Sequence, residues 1–186
     1  MIVGTSILAV NALSQFMSDE MWPVRSRAVE IALAESLEDT REVGPNNRGA
    51  RIDTYLENGG QLPRKADKPG IGWCGMFIYF CYTRAALESG ITLPDELRIS
   101  FLSGYRLGVW AKANGKLVKN GHLLPGDIYT RREHWHIGMI IEPVSNPTFR
   151  TVIRTIDGNQ SFAGSRRNSV QVRTREFGEM RRVIRL

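Results

Sequence analysis

Gly70-Ile71-Gly72-Trp73-Cys74-Gly75-Met76-Phe77-Ile78-Tyr79-Phe80-Cys81-Tyr82-Thr83-Arg84-Ala85-Ala86-Leu87 is apolar or small almost throughout. From Trp73 to Leu87 there is no proline, and the length corresponds to about four helical turns. The composition predicts a helix buried on most sides, at the centre of the fold. Cys74 stands at the start of that helix, where unpaired N–H groups and the positive end of the helix dipole favour a thiolate. That makes it the candidate nucleophile. Cys81 lies two turns further into the same apolar helix and reads as a small core residue. On one helix the two Cα atoms would be about 10.5 Å apart. A disulfide spans less than about 7 Å, so both are expected as free thiols and a disulfide-stapled scaffold is excluded.

Upstream, Val24 to Leu37 places Ala28, Ile31 and Ala32 on one face at helical spacing, with Pro23 suited to a first helical turn. Gly44-Pro45-Asn46-Asn47 breaks the pattern, after which Ile52, Tyr55 and Leu56 predict a short amphipathic helix ended by Asn58-Gly59-Gly60. Gln61 to Gly72 reads as loop. Downstream, a further helix is expected from Ser100 to Ala113, with Ser100 as its cap and Gly115 as its stop.

The pattern then changes. Asp127 to Tyr129, His136 to Ile141, Arg150 to Ile156, Ser169 to Thr174 and Arg181 to Leu186 are short runs rich in Ile, Val and Thr, separated by Pro, Gly and Asn. Helices first and strands afterwards argue for an α+β fold with a mainly antiparallel sheet. At 186 residues with 42% apolar content, one domain is the expectation.

Two later segments offer partners for Cys74. In His134-Trp135-His136-Ile137-Gly138-Met139-Ile140-Ile141 a histidine opens an apolar strand, and Gly138 leaves room for a close approach. In Thr155-Ile156-Asp157-Gly158-Asn159, strand alternation would turn Asp157 and Asn159 to the same side. Either can accept the second imidazole N–H and hold the ring in a productive tautomer; Asp157 is preferred because a carboxylate also stabilises the imidazolium.

Gly72-Trp73-Cys74-Gly75-Met76-Phe77, Leu124-Pro125-Gly126-Asp127-Ile128, His136-Ile137-Gly138-Met139-Ile140 and Ile156-Asp157-Gly158-Asn159 follow one another in an order and spacing that resembles the CHAP amidases, a branch of the papain-like NlpC superfamily. Glu42-Val43-Gly44-Pro45-Asn46-Asn47 is similar to an acid-Gly-Asn element that precedes the cysteine in some CHAP-like proteins. The resemblance covers roughly residues 40 to 160, within a single domain over 1 to 186 in which 1 to 22 stand as an N-terminal extension. It implies a papain-like or NlpC-like fold, with the nucleophile on a helix packed against an antiparallel sheet that carries the histidine. It also implies cysteine-dependent hydrolysis of amide bonds in peptidoglycan or related peptides, without a cofactor. Of the two histidines, His136 adjoins the Ile-Gly-Met strand as the family histidine does. An aspartate-rich calcium loop found before the cysteine in some members has only Asp67 to match it between Arg64 and Lys68, so no calcium is expected.

Around this centre, Glu42, His134, Trp73 and Trp135 are candidate substrate contacts, although core packing is the blander and preferred account of the two tryptophans. Trp22 and Trp110 are assigned to packing and His122 to exposed surface. His134, His136, Asp157 and Cys74 could instead bind zinc, but a strand pair of histidines with scattered partners is a weak metal signature.

Lys plus Arg exceed Asp plus Glu by 25 to 19, a net charge of +6 that favours an anionic partner. From Arg150 onward the arginines are dense, Arg173 and Arg175 sharing one strand face, which offers a contact surface for wall polymers or other polyanions. The non-enzymatic alternative is a basic module for nucleic acid or another polyanion, yet no interleaved aromatics or nucleic-acid motif accompany the arginines. No window is long and apolar enough for a membrane span, and Ile2 to Val10 lacks a signal's basic flank and cleavage site. The expectation is synthesis in the cytoplasm and action on the cell wall or periplasm after release or delivery. A phage-type lysin and a bacterial amidase toxin or remodelling enzyme both fit, the toxin implying an immunity or inhibitor protein as partner.

Overall fold

A computed structural model describes residues 19–38, 40–43, 47–61, 71–119, 121–131, 136–161 and 167–186. Helix α1, Trp22–Leu37, has Pro in its first turn and buries Val24, Ala28, Val29 and Ala32. Helix α2, Ala50–Asn58, buries Ile52, Tyr55 and Leu56, then stops at Gly59 and Gly60, the latter at φ +70° where a side chain would be strained. Helix α3, Cys74–Glu88, is buried on most of its circumference, from Gly75 through Tyr82 and again at Ala85 and Ala86.

The helix expected from Ser100 to Ala113 is instead two: α4, Asp95–Ser100, and α5, Gly104–Ala113. The chain turns at Phe101, which is buried against the Tyr79 ring at 5.5 Å between centroids. Ser103, extended at φ −158°, is the cap of α5, its hydroxyl accepting from the Arg106 N–H at 3.2 Å. Ser100 donates its hydroxyl to the Glu96 carbonyl inside α4 and caps nothing.

Among the described residues seven strands follow: β1 His122–Leu123, β2 Ile128–Arg131, β3 Ile137–Ile140, β4 Val144–Ser145, β5 Val152–Ser161, β6 Asn168–Glu176 and β7 Met180–Ile184. Each predicted strand has its counterpart, and the short β1–β4 pair is an addition. The main sheet runs β6-β5-β3-β2-β7, antiparallel at every pairing. The architecture is therefore α+β with an antiparallel sheet.

Alternation along the strands divides the core. Ile128, Ile137, Met139 and Ile156 join the helices in the main cluster, whereas Tyr129, Ile140 and Ile153 belong to a smaller one with Met180 and Val183. Helix α3 contacts β3 and β5 directly, and α1 and α2 pack on α3 from outside. The Pro-Gly-Asp turn entering β2 is held by the Asp127 carboxylate, which accepts from the Leu124 N–H at 2.8 Å and from Arg185 at 2.7 and 2.6 Å. Among the described residues no helix is long and apolar enough to cross a membrane.

Candidate active site

Trp73 is the residue before α3, its carbonyl accepting the first helical hydrogen bond from Phe77 N–H at 2.9 Å. Among the described residues no side chain caps this end, so first-turn N–H groups remain for another acceptor. The Cys74 sulfur takes that place. It is partly exposed, and the backbone N–H groups of Gly75 and Ile137 point to it. The approach of α3 to its surroundings is close: a Cβ at Gly75 would overlap the Phe101 carbonyl oxygen and crowd Ile137.

His136 immediately precedes β3, and its Nε2 lies 2.9 Å from Asp157 Oδ1. With Nε2 engaged by the carboxylate, Nδ1 is the nitrogen left to face the sulfur. The Gln160 carboxamide lies beside the ring, 3.4 Å from Nδ1. Burial pushes the Cys74 thiol up, but the hydrogen bond and charge of His136, with the two backbone N–H groups, bring it below its ordinary value. Burial would likewise lower His136, yet Asp157 and Cys74 together push it up to about 9. Both directions favour the thiolate–imidazolium pair over a neutral thiol beside a neutral imidazole. Cys81 contrasts with this: it is fully buried, and desolvation pushes its thiol well up, with Glu35 adding to the effect.

Asp157 is fully buried, which would raise its carboxyl, but His136, Arg175 and Tyr129 hold it below the usual range. Its Oδ1 accepts from His136 and from the Tyr129 hydroxyl; its Oδ2 accepts from the Thr155 hydroxyl at 2.9 Å and faces Arg175. Register explains the arrangement. Tyr129 on β2 pairs with Gly138 on β3, and Met139 pairs with Ile156 on β5, so Asp157 lies across from Gly138. The missing side chain of Gly138 lets the Tyr129 ring and the Asp157 carboxylate meet over it; a Cβ there would overlap both.

These groups open onto a cleft of about 590 Å³ lined by Ile71, Gly72, Cys74, Ser103, His136 and Asn159 among others. Its size suits a ligand rather than a single water. Arg131, at the cleft edge, pairs with Glu179 at 2.9 Å.

The structure brings Cys74, His136 and Asp157 together in one chain of hydrogen bonds. Asn159 does not share the role of Asp157, because a register shift between Asp157 and Gln160 breaks the strand alternation. It adopts φ +58°, accepts from Asn168 Nδ2 at 2.7 Å and lines the cleft.

Two expected substrate contacts are corrected. Trp73 is fully buried, packed at 5.9 Å from the Tyr55 ring, and Glu42 is 1% exposed. Glu42 instead accepts from Trp73 Nε1 at 3.2 Å and from the Asn168 N–H at 3.1 Å, tying the start of α3 to β6. His134 and Trp135 lie outside the described residues. Arg175 is also turned inward, 8% exposed, and Arg173 bonds Gln171 and the Ser161 carbonyl, so these two do not form an open basic face. His122 is exposed, as expected, and Trp110 packs against the main core. Tyr129, Arg175 and Gln160 were not legible as site residues: Tyr129 is one apolar residue of a strand, and Arg175 one of many arginines.

Among the described residues, no group of three or more His, Cys, Asp or Glu side chains is arranged to hold a metal ion. What the fold and site define is an α+β protein with a partly exposed thiol beside a histidine that is paired with a buried aspartate. Compared with protein-family models, curated proteins and solved structures, the chain has no match.

Proposed function

We propose that this chain is a cysteine-dependent amide hydrolase of papain-like type, akin to the CHAP amidases, acting on the peptide part of bacterial peptidoglycan. The observation that carries the reading is the line Cys74–His136–Asp157, with His136 Nε2 2.9 Å from the carboxylate and Cys74 and His136 lining the cleft. The wall substrate rests on the motif order described above and on the net charge of +6, which suits an anionic polymer.

In this mechanism the Cys74 thiolate attacks the amide carbonyl carbon, forming a C–S bond and a tetrahedral oxyanion. The oxyanion accepts from the N–H of Cys74, at the helix start where donors are fixed before the reaction begins. His136 gives its Nδ1 proton to the amide nitrogen as the C–N bond breaks, releasing the amine and leaving a thioester. Neutral His136 then takes a proton from water, hydroxide displaces the sulfur, and the thiolate–imidazolium pair returns. Asp157 keeps the ring oriented through both halves.

Incubation of the purified chain with peptidoglycan, followed by mass spectrometry of the released fragments, tests activity and identifies the bond. Cys74→Ala is expected to abolish release while the protein stays folded, and Cys81→Ala to leave it nearly intact. Equal losses from both would make Cys74 a packing residue.

A further inference from the structure

Arg175 reaches inward from β6 and gathers three residues of the site. Its Nε donates to the Tyr129 hydroxyl oxygen at 2.9 Å, Nη2 donates to Gln160 Oε1 at 3.0 Å, and the same Nη2 lies 3.4 Å from Asp157 Oδ2. On its outer side Nη1 is 3.9 Å from Glu179, which also receives Arg131. A guanidinium so buried is costly unless it is paired and hydrogen-bonded, and here its partners are the groups that hold His136.

Charge balance shows what it does there. A Cys74 thiolate, a His136 imidazolium and an Asp157 carboxylate leave one net negative charge around a fully buried carboxylate. Tyr129 and Thr155 contribute neutral hydroxyls, and Glu179 and Arg131 compensate each other. Among the described residues, Arg175 supplies the positive charge that balances it. Without it, the ready relief is a proton on the sulfur or on the carboxylate.

We propose that Arg175 is a positioning residue of the active site, clamping Asp157, Tyr129 and Gln160 so that Asp157 faces His136 as a carboxylate and His136 faces Cys74 as an imidazolium. The inference rests on the thiolate reading of Cys74 and adds the residue that sustains it.

The test is the pH dependence of Cys74 alkylation by iodoacetamide in the full chain carrying Cys81→Ala, which requires no wall substrate. The parent should alkylate with a midpoint well below the roughly 8.5 of a free thiol. Arg175→Gln should move the midpoint up by about one unit, which is about tenfold slower alkylation at pH values below both midpoints. Arg175→Lys, which keeps the charge, should restore most of the rate. Tyr129→Phe, which removes one neutral donor and keeps the fold, should shift the midpoint upward by less.

A folded Arg175→Gln chain with the parent's midpoint overturns the proposal, as does Tyr129→Phe without a shift if Arg175→Gln fails to fold. A merely structural arginine would lower the melting temperature and leave the midpoint in place. A parent chain that alkylates like an ordinary thiol sinks the thiolate reading itself, a different result from unchanged variants.

Discussion

At the scale of single residues, the chemistry comes from opposing shifts in two neighbouring groups. The reactive form needs Cys74 deprotonated and His136 protonated, and each stabilises the other's charge. Cys74 lies below its ordinary value, so the form is gained as pH rises through that lowered value. His136 is pushed up to about 9, so the form is lost as pH rises through about 9. The kcat/KM profile should therefore show a plateau with its basic limb near pH 9. A limb near the roughly 6.5 of a free imidazole would mean that His136 is not paired. Stability follows the same signs. The raised His136 contributes fully below its unfolded value and the contribution fades as pH rises through about 9, while the lowered Asp157 contributes above its unfolded value and loses this as pH falls through its folded one.

At the scale of elements, the nucleophile is placed by what holds the start of α3, and there a carboxylate takes a structural part. Glu42 accepts from Trp73 Nε1 on one side and from the Asn168 N–H on the other. Glu42→Ala would leave the buried Trp73 N–H without a partner, costing about 1–3 kcal/mol, and would free the part-buried Asn168 N–H as well. The expected outcome is a lower denaturant midpoint for unfolding with KM little changed; a raised KM at unaltered stability would restore a substrate contact for Glu42. Elements were legible where one signal dominated. Cys74–Glu88 matches the expected helix because its apolar character is uniform over its length. The break between α4 and α5 was not legible, since Ser100 and Ser103 are both good caps and only the burial of Phe101 decides between them. The same holds within the site. Cys74, His136 and Asp157 stand out in the sequence as a thiol at a helix start, a histidine at a strand mouth and an acid at a strand end. The choice of Asp157 over Asn159 depends on a register shift in β5, which no residue pattern displays. The Tyr129 and Arg175 contacts to Asp157 span 28 and 18 residues and arise only from strand order.

At the scale of the whole molecule, Cys81 reports on how the layers hold together. Its sulfur lies in the cluster that joins Val24 and Ala28 of α1, Tyr55 of α2, Leu97 of α4 and Leu107 of α5 to Ile128, Ile156 and Ile184 of the sheet. The groups that act on its thiol, Glu35 of α1 and Arg51 of α2, belong to the neighbouring helices, so exposing Cys81 requires the helices around it to part. Desolvation also holds its thiol in the neutral, unreactive form while the chain is folded. Cys74 is partly exposed, and His136 with two backbone N–H groups outweighs the desolvation of its thiol. A brief pulse of iodoacetamide should therefore modify one thiol per native chain, the one at the cleft. Across a denaturant titration, modification of the second should appear with the same midpoint as the loss of far-ultraviolet ellipticity, as expected when a small domain unfolds in one step. If Cys81 reacts at a lower denaturant concentration than that midpoint, the helices open as a unit while the sheet persists. Cys74 is carried by the same helix as Cys81, so its contact with His136 would then fail before the protein unfolds, and hydrolysis would be lost at the concentration at which Cys81 begins to react.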